Sequence, residues 1–394
     1  MRYEDELQDE LQDFQDTDDV GDFDVSEIVV YSRDWTIGTF YDQIEQGNIQ
    51  LNPGFQRRNA WDDGKRGKLI ESILKSYPVP EIVLAEDNKK SRGSFIVIDG
   101  KQRLLTMAGF INHQKYGYWS SPTVKGLKIG GTVKNYTYDD VKSDPALRRA
   151  FENASLRCTV ITNYKTDDVL YDIFYRLNSG STPLSSQELR QALNPGPYSD
   201  YLVQITNENT SLRKVMGIKD ADRRLRDIEV LLRVMAFMQN ARGYHGNLRV
   251  FLDNMMHQFN REYVKDQTSF EKLYKVIIDT IETLKAVFGE YNLIGRRFMN
   301  DKFESRFNRV IFEVQVYYFC HIPTICFNVQ SNKLFVELFA KLSEQDGPFR
   351  ASIEGSTKNL ENYKVRYTKF QEIVNEAYGC GLNINPFSDA ATSR

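Results

Sequence analysis

One group of polar and charged residues, a quarter of the way along the chain, has the chemistry of an anion site. The group is Asp99-Gly100-Lys101-Gln102-Arg103. Gly100 would let a ligand approach the backbone closely, and Lys101 and Arg103 place positive charge beside the first free N–H groups of a following helix. Asp99 could hold a metal ion, orient Arg103 or position a water molecule. The structural alternative is that Asp99 caps the helix and pairs with Arg103.

The residues around this group predict a strand, a tight turn and a helix. Four consecutive apolar residues with high strand propensity, 95–98, lead into Asp-Gly. Behind the turn, Leu104, Leu105, Ala108 and Ile111 recur at helical spacing. The turn would therefore hold the charged side chains where a strand ends and a helix begins.

A second polar loop, 55–61, contains residue types that grip nucleotides. Arg57 could bind a phosphate through its guanidinium group, Gln56 could add a polar contact, and Trp61 could stack on a base. The alternative is that Trp61 anchors the core and the arginines are simply exposed. Both interpretations stay open at this point.

Helical and strand patterns alternate up to about residue 165, which indicates an α+β domain. Helices are predicted over 36–47, 62–74 and part of 139–153, strands over 81–85 and 156–161, and a hairpin within 125–138. Ser185 and Glu188 form a capping-box pattern for a further helix. We therefore predict an α+β domain over 25–195.

The rest of the chain, 196–394, is predicted to be a mainly α-helical domain. Long helical patterns cover 223–240, 250–264, 270–287, 303–320, 332–344 and 356–378. Basic residues cluster within 213–226 and 296–309, and these clusters could contact a nucleic-acid backbone. A solvated, salt-bridged helix face is the alternative for each cluster. The most apolar window, 310–329, is interrupted by polar residues and is expected to be a core helix, not a membrane span.

The composition limits the class of protein. Four cysteines without a CxxC pair argue against a zinc site or a disulfide framework, and only four histidines are present. We expect a cytoplasmic protein.

Residues 1–24 hold eleven carboxylates and one arginine, which gives this segment a charge of −10. Because the net charge of the chain is −3, the remaining residues carry a charge of +7. This acidic arm is expected to be disordered, or to compete with a polyanion for a basic surface, in which case its deletion would strengthen DNA binding.

Motifs in order along 25–195 resemble one bacterial family, the N-terminal domain of the GmrSD-type restriction systems, within the ParB/sulfiredoxin-like superfamily. The motifs are Phe55-Gln-Arg57 with Trp61, Leu69-Ile-Glu-Ser-Ile-Leu74 with Pro80, Ile98-Asp-Gly-Lys-Gln-Arg-Leu-Leu-Thr106, Phe174-Tyr-Arg-Leu-Asn178-Ser-Gly180, and Pro183-Leu-Ser185 with Glu188-Leu-Arg190. The family's usual signature is Asp-Gly-Gln-Gln-Arg, and Lys101 replaces its first Gln here.

The resemblance implies a nucleotide-binding domain, in some members an NTP hydrolase, that serves in defence against phage or modified DNA. Asp99 would act on magnesium or water, while Arg103 and Arg57 would contact phosphates. The remaining implied contacts to nucleotide or DNA are Gln56, Gly100, Lys101, Gln102, Asn178 and Ser179. As an alternative, Asn178 and Gly180 would only terminate a helix.

Many relatives continue into a His-Asn-His nuclease domain, whose chemistry needs further histidines beyond the first. His321-Ile-Pro323 is similar to the beginning of such a motif, but no His follows it. We therefore expect that this nuclease is absent from the chain.

Three functions remain under consideration. The first is an NTP-binding module, NTP-hydrolysing in some relatives, of a defence system that contacts DNA. The second is a metal-dependent nuclease of ParB-like fold that uses Asp99. The third is a non-enzymatic adaptor with a vestigial pocket that binds a separately encoded partner protein.

Overall fold

The computed structural model describes residues 27–51, 61–88, 93–116, 119, 122–129, 132–177, 185–355 and 357–388. The chain divides into two compact units, with the division between Pro195 and Gly196. The N-terminal unit mixes strands and helices, and the C-terminal unit is mainly helical. The predicted α+β class, with a helical C-terminal part, is confirmed.

The elements of the N-terminal unit follow in chain order. They are β1 (Val29–Thr36), α1 (Ile37–Glu45), α2 (Asp63–Leu74), β2 (Ile82–Glu86), β3 (Phe95–Asp99), α3 (Lys101–Ile111), β4 (Val124–Ile129), β5 (Thr132–Tyr136), α4 (Tyr138–Ser143), α5 (Pro145–Glu152), β6 (Ser155–Thr162), α6 (Asp167–Leu177) and α7 (Ser186–Leu193).

A four-stranded mixed sheet organises this unit. Its strand order is β1-β6-β2-β3. Strand β6 runs antiparallel to β1 and parallel to β2, and β2 and β3 form an antiparallel pair in which Val83 lies opposite Asp99. Asp99 therefore lies at the edge of the sheet where β2 and β6 begin.

Strands β2 and β3 are buried on both faces of the sheet, and their successive residues point to opposite sides. Ile82 and Leu84 contribute to one core with residues of α1, α2, α3 and α5. Val83 and Ala85 contribute to a second core with residues of α6 and α7. The turn after β3 thus lies between a helix on one face of the sheet, α3, and a helix on the other, α7.

The C-terminal unit contains the remaining elements. They are α8 (Pro197–Glu208), α9 (Thr210–Met216), α10 (Arg226–Asn240), α11 (Leu248–Tyr263), α12 (Gln267–Phe288), β7 (Phe298–Met299), β8 (Lys302–Phe303), α13 (Arg309–Phe319), α14 (Val329–Gln345), α15 (Gly347–Glu354) and α16 (Leu360–Tyr378), with short 3₁₀ turns at Ala241–Gly243, Tyr291–Leu293 and Thr324–Cys326. No helix among the described residues is long and apolar enough to cross a membrane.

A buried ion pair joins two helices of this unit. Arg233 of α10 lies 2.9 Å from Glu313 of α13, and the two side chains are 3% and 1% exposed. Tyr363 and Tyr367 of α16 donate hydroxyl hydrogen bonds to the Glu313 carboxylate at 3.5 and 3.3 Å. Burial raises the pKa of Glu313, and the charges of Arg233 and Arg366 oppose that shift. This network connects three helices that are far apart in sequence.

Two sequence predictions need correction. The helix predicted from residue 303 begins only at Arg309, because Phe303 lies in the short β7–β8 hairpin and left-handed residues at Asn300 and Asp301 form its turn. The second basic cluster is partly structural. Arg296 is buried and donates to the backbone carbonyls of Val215 and Ser305.

Candidate functional site

The turn between β3 and α3 depends on Gly100. This residue has φ +92°, and a Cβ added to it would lie 2.5 Å from Ile82 Cδ1. It would also lie 3.3 Å from the Nε of Arg103. An L side chain is therefore disfavoured here both by backbone strain and by lack of space. Only glycine allows Arg103 to fold back against the start of its own helix.

Asp99 and Arg103 form an ion pair across this turn. The Arg103 Nη2 donates to Asp99 Oδ2 at 2.8 Å and to the carbonyl oxygen of Glu81 at 2.8 Å. The other carboxylate oxygen, Asp99 Oδ1, accepts the Gly100 N–H at 2.7 Å. Asp99 thus orients Arg103, which was one of the roles considered from the sequence. The salt bridge of the structural alternative is present as well.

Arg103 has one donor that no described residue accepts from. The side chain is only 6% exposed, and its Nε has no hydrogen-bond partner among the described residues. Helix α3 begins at Gly100 without a side-chain cap. Because the first N–H groups of a helix lack intrahelical acceptors, the start of α3 and Arg103 together present donors and positive charge. Such a set favours an anionic acceptor.

Lys101 adds a buried charge at the same helix start. It is 9% exposed, and burial lowers its pKa, whereas the Glu188 carboxylate of α7 opposes this shift. The electrostatic interaction places the starts of α3 and α7 near each other. Glu188 also belongs to the predicted capping box, since it accepts the Ser185 N–H at 2.7 Å while Ser185 Oγ accepts the Glu188 N–H at 3.1 Å.

The other predicted site residues are placed differently. Gln56, Arg57, Asn178 and Ser179 lie outside the described residues, as does the acidic arm, and their roles stay predictions. Gln102 is half-buried on α3, and its backbone carbonyl accepts from Thr106 Oγ1. Trp61 packs partly buried against the core of the α1–α3 face, as the alternative for this residue predicts.

A magnesium site built by the protein alone is not found in the described part of the chain. Within it, no three His, Cys, Asp or Glu side chains come together as metal ligands. Asp99, the predicted ligand, already accepts hydrogen bonds at both carboxylate oxygens.

Sequence reasoning missed two residues of α7. Gln187 and Arg190 are 0% and 2% exposed, and Arg190 Nη1 donates to Gln187 Oε1 at 2.6 Å. Arg190 is part of a motif used to recognise the family, but a polar helix start gives no signal that its side chains are buried. Their burial depends on packing that a local pattern does not show.

A comparison of the sequence with models of known families gives a match over most of the N-terminal unit. Residues 37–194 match the model of the family described as GmrSD restriction endonuclease, N-terminal domain. The N-terminal unit thus contains a GmrSD-type N-terminal domain. The family resemblance drawn from the motifs is confirmed, and the match covers both helix starts of the candidate site. No curated protein matches the chain.

Within this GmrSD-type domain, Lys101 is the residue that departs from the usual signature. Burial lowers the pKa of this lysine, and the charge of Glu188 on α7 opposes that shift. In the C-terminal unit, His321 bonds locally through Nδ1 to the Tyr317 carbonyl oxygen at 2.8 Å. It thus has a structural contact just beyond the end of α13.

Proposed function

We propose that the GmrSD-type domain binds a nucleoside triphosphate at the turn from Asp99 to Arg103, as a module of a restriction system that acts on DNA. One observation carries this proposal. Arg103 is held by Asp99 and Glu81, and its buried Nε has no partner in the part of the chain that the structure describes, at the start of a helix that has no side-chain cap. A buried donor without an acceptor costs roughly 1–3 kcal/mol, and a bound phosphate oxygen would recover that cost.

Each described group has a definite part in binding. Arg103 would donate through Nε to a phosphate oxygen, and Asp99 would hold the guanidinium group in that orientation. Lys101 and the first N–H groups of α3 would balance the remaining phosphate charge. A hydrogen bond to a charged group contributes about 1.5–3 kcal/mol, so a few of them account for micromolar affinity, which needs about 8 kcal/mol.

The finer features belong to the same proposal. Magnesium would enter with the triphosphate and would neutralise part of its charge. Hydrolysis would then require an attacking water near the phosphates. Asp99 would accept a hydrogen bond from this water, because each of its carboxylate oxygens has a second lone pair beside the hydrogen bond that it accepts now. We also propose the ParB/sulfiredoxin-like superfamily for this unit, a cytoplasmic location, and a separately encoded partner protein for the helical unit.

Calorimetric titration tests the proposal most directly. The full chain is titrated with ATP, GTP, CTP and UTP in the presence of magnesium, beside the variants Arg103→Ala and Arg103→Lys. We expect one nucleotide or more to bind the native protein and Arg103→Ala to lose that binding. Arg103→Lys keeps the charge and the pairing with Asp99 but lacks the Nε donor, so it should bind with intermediate affinity.

Two other results would change the assignment. If no nucleotide binds, the closed Asp99–Arg103 pair is a structural feature and the adaptor function takes the place of the present proposal. Magnesium-dependent cleavage of plasmid DNA that Asp99→Ala abolishes would favour a nuclease. Gel-shift assays with duplex DNA at low and moderate salt test the contact with DNA separately.

A further inference from the structure

Helix α7 is buried on nearly every side although its sequence is polar. Gln187, Glu188, Arg190 and Gln191 are all 5% exposed or less. The helix packs against β3, the strand that ends at Asp99. Polar side chains are seldom buried so completely without a function or a full set of partners.

Gln187 has a fixed orientation and an unused donor. Its Oε1 accepts from Arg190 Nη1 at 2.6 Å. Because a guanidinium group only donates, this bond determines which end of the amide is the oxygen and which is the nitrogen. The Nε2 that results is buried and has no partner among the described residues. Arg190 therefore fixes the orientation of the Gln187 amide.

This donor lies on the first turn of α7, together with Glu188. Gln187 precedes Glu188, whose carboxylate interacts with Lys101. Arg103 Nε is another buried donor without a partner among the described residues. These two donors and the uncapped start of α3 favour an acceptor that carries negative charge.

We infer that Gln187 is a further ligand-binding residue, whose Nε2 donates to a phosphate oxygen of the nucleotide, and that Arg190 is the positioning residue that holds the Gln187 amide in this orientation. The inference rests on the proposed function, since it adds a contact from α7 to the same site. It assigns phosphate recognition to the starts of α3 and α7, which pack on opposite faces of the sheet.

The substitution Gln187→Glu separates binding from structure. It keeps an oxygen for Arg190, so the thermal midpoint of unfolding should be equal to or above that of the native protein. It removes the donor and puts a carboxylate beside the phosphates. We expect roughly tenfold weaker binding or more, by calorimetry, for the preferred nucleotide and for inorganic tripolyphosphate.

Gln43→Glu is the matched control in the same unit. Gln43 Oε1 accepts from Asn48 Nδ2 at 3.0 Å, so this variant makes the same change in charge and keeps the existing bond. It should bind with native affinity. If Gln187→Glu fails to fold, Gln187→Met removes the donor without adding charge, and weaker binding by that variant supports the assignment.

The outcomes distinguish this inference from the function on which it rests. If the native chain binds the nucleotide and Gln187→Glu binds it with the same affinity, only the role of Gln187 is overturned. The same holds for Gln187→Met if that variant is used instead. If the variant binds the nucleotide more weakly but binds tripolyphosphate with native affinity, the assignment of Gln187 to a phosphate oxygen is overturned. If the native chain binds neither probe, the proposed function fails together with the inference.

Discussion

Each unit of the molecule contains an arginine–carboxylate pair with a buried arginine, and the two pairs differ in what surrounds them. The pair Arg233–Glu313 links residues 80 positions apart, and tyrosine hydroxyls complete the carboxylate's hydrogen bonds. The pair Asp99–Arg103 is local, spans one helical turn, and leaves the Nε of Arg103 without a partner among the described residues. The first pair connects helices of the C-terminal unit, whereas under the proposed function the second keeps a donor for a phosphate oxygen.

The largest effect is expected from Arg233→Ala. This substitution leaves the Glu313 carboxylate buried, at 1% exposure, without its cation. Removal of one partner of a buried pair costs about 3–5 kcal/mol. Urea denaturation followed by circular dichroism should show this loss of unfolding free energy, with nucleotide binding retained. A loss below about 1 kcal/mol would contradict the view that this pair stabilises the helical unit.

Gly100→Ala should have the next largest effect and should act on the other pair. The added Cβ meets Ile82 Cδ1 and the Arg103 guanidinium group, at a φ of +92°. We expect roughly 1–3 kcal/mol of destabilisation and a loss of nucleotide affinity, because Arg103 must shift. Gly93→Ala is the control, since it has φ +90° but no atom within 4 Å of its added Cβ. Equal nucleotide affinity in the two variants would remove Arg103 from the site.

The smallest effect concerns pH and the completed pair. Burial raises the pKa of Glu313 above its ordinary value of 4.5. The folded chain therefore holds this proton more tightly than the unfolded chain. Consequently, the free energy of unfolding falls as the pH rises from 4.5 through the raised pKa. Glu313→Gln does not titrate, so its stability should lack this fall in denaturation experiments from acid to neutral pH. An identical pH profile in both proteins would contradict the assignment.

The parts of the fold that sequence patterns predict are those held together locally. The strand, turn and helix around Asp99 follow from a run of apolar residues, an Asp-Gly turn and helical spacing, and the Asp99–Arg103 pair lies within one turn. The capping box at Ser185 is confirmed for the same reason. The family was also recognised from local patterns, because each of its motifs is a short run of neighbouring residues that can be read without knowledge of distant contacts.

The parts that the sequence did not predict depend on distant contacts. Strand β1 was missed because most of its residues are half-exposed or exposed, so it lacks apolar alternation. The Arg233–Glu313 pair and the Gln187–Arg190 pair require knowledge of which helix faces are buried. A polar helix start such as that of α7 is normally exposed, and only its packing against β3 shows otherwise.

The position of β6 in the sheet has a consequence for synthesis on the ribosome. This strand lies between β1 and β2, yet it is the last of the four to be translated, and Thr162 bonds to Val29 across 133 residues. Until β6 emerges, β1 has no neighbour in the sheet, and β2 pairs only with β3. The nascent chain therefore carries unpaired strand edges for much of its elongation, a state in which strands aggregate readily. Chaperone demand should thus be concentrated before residue 162 leaves the exit tunnel.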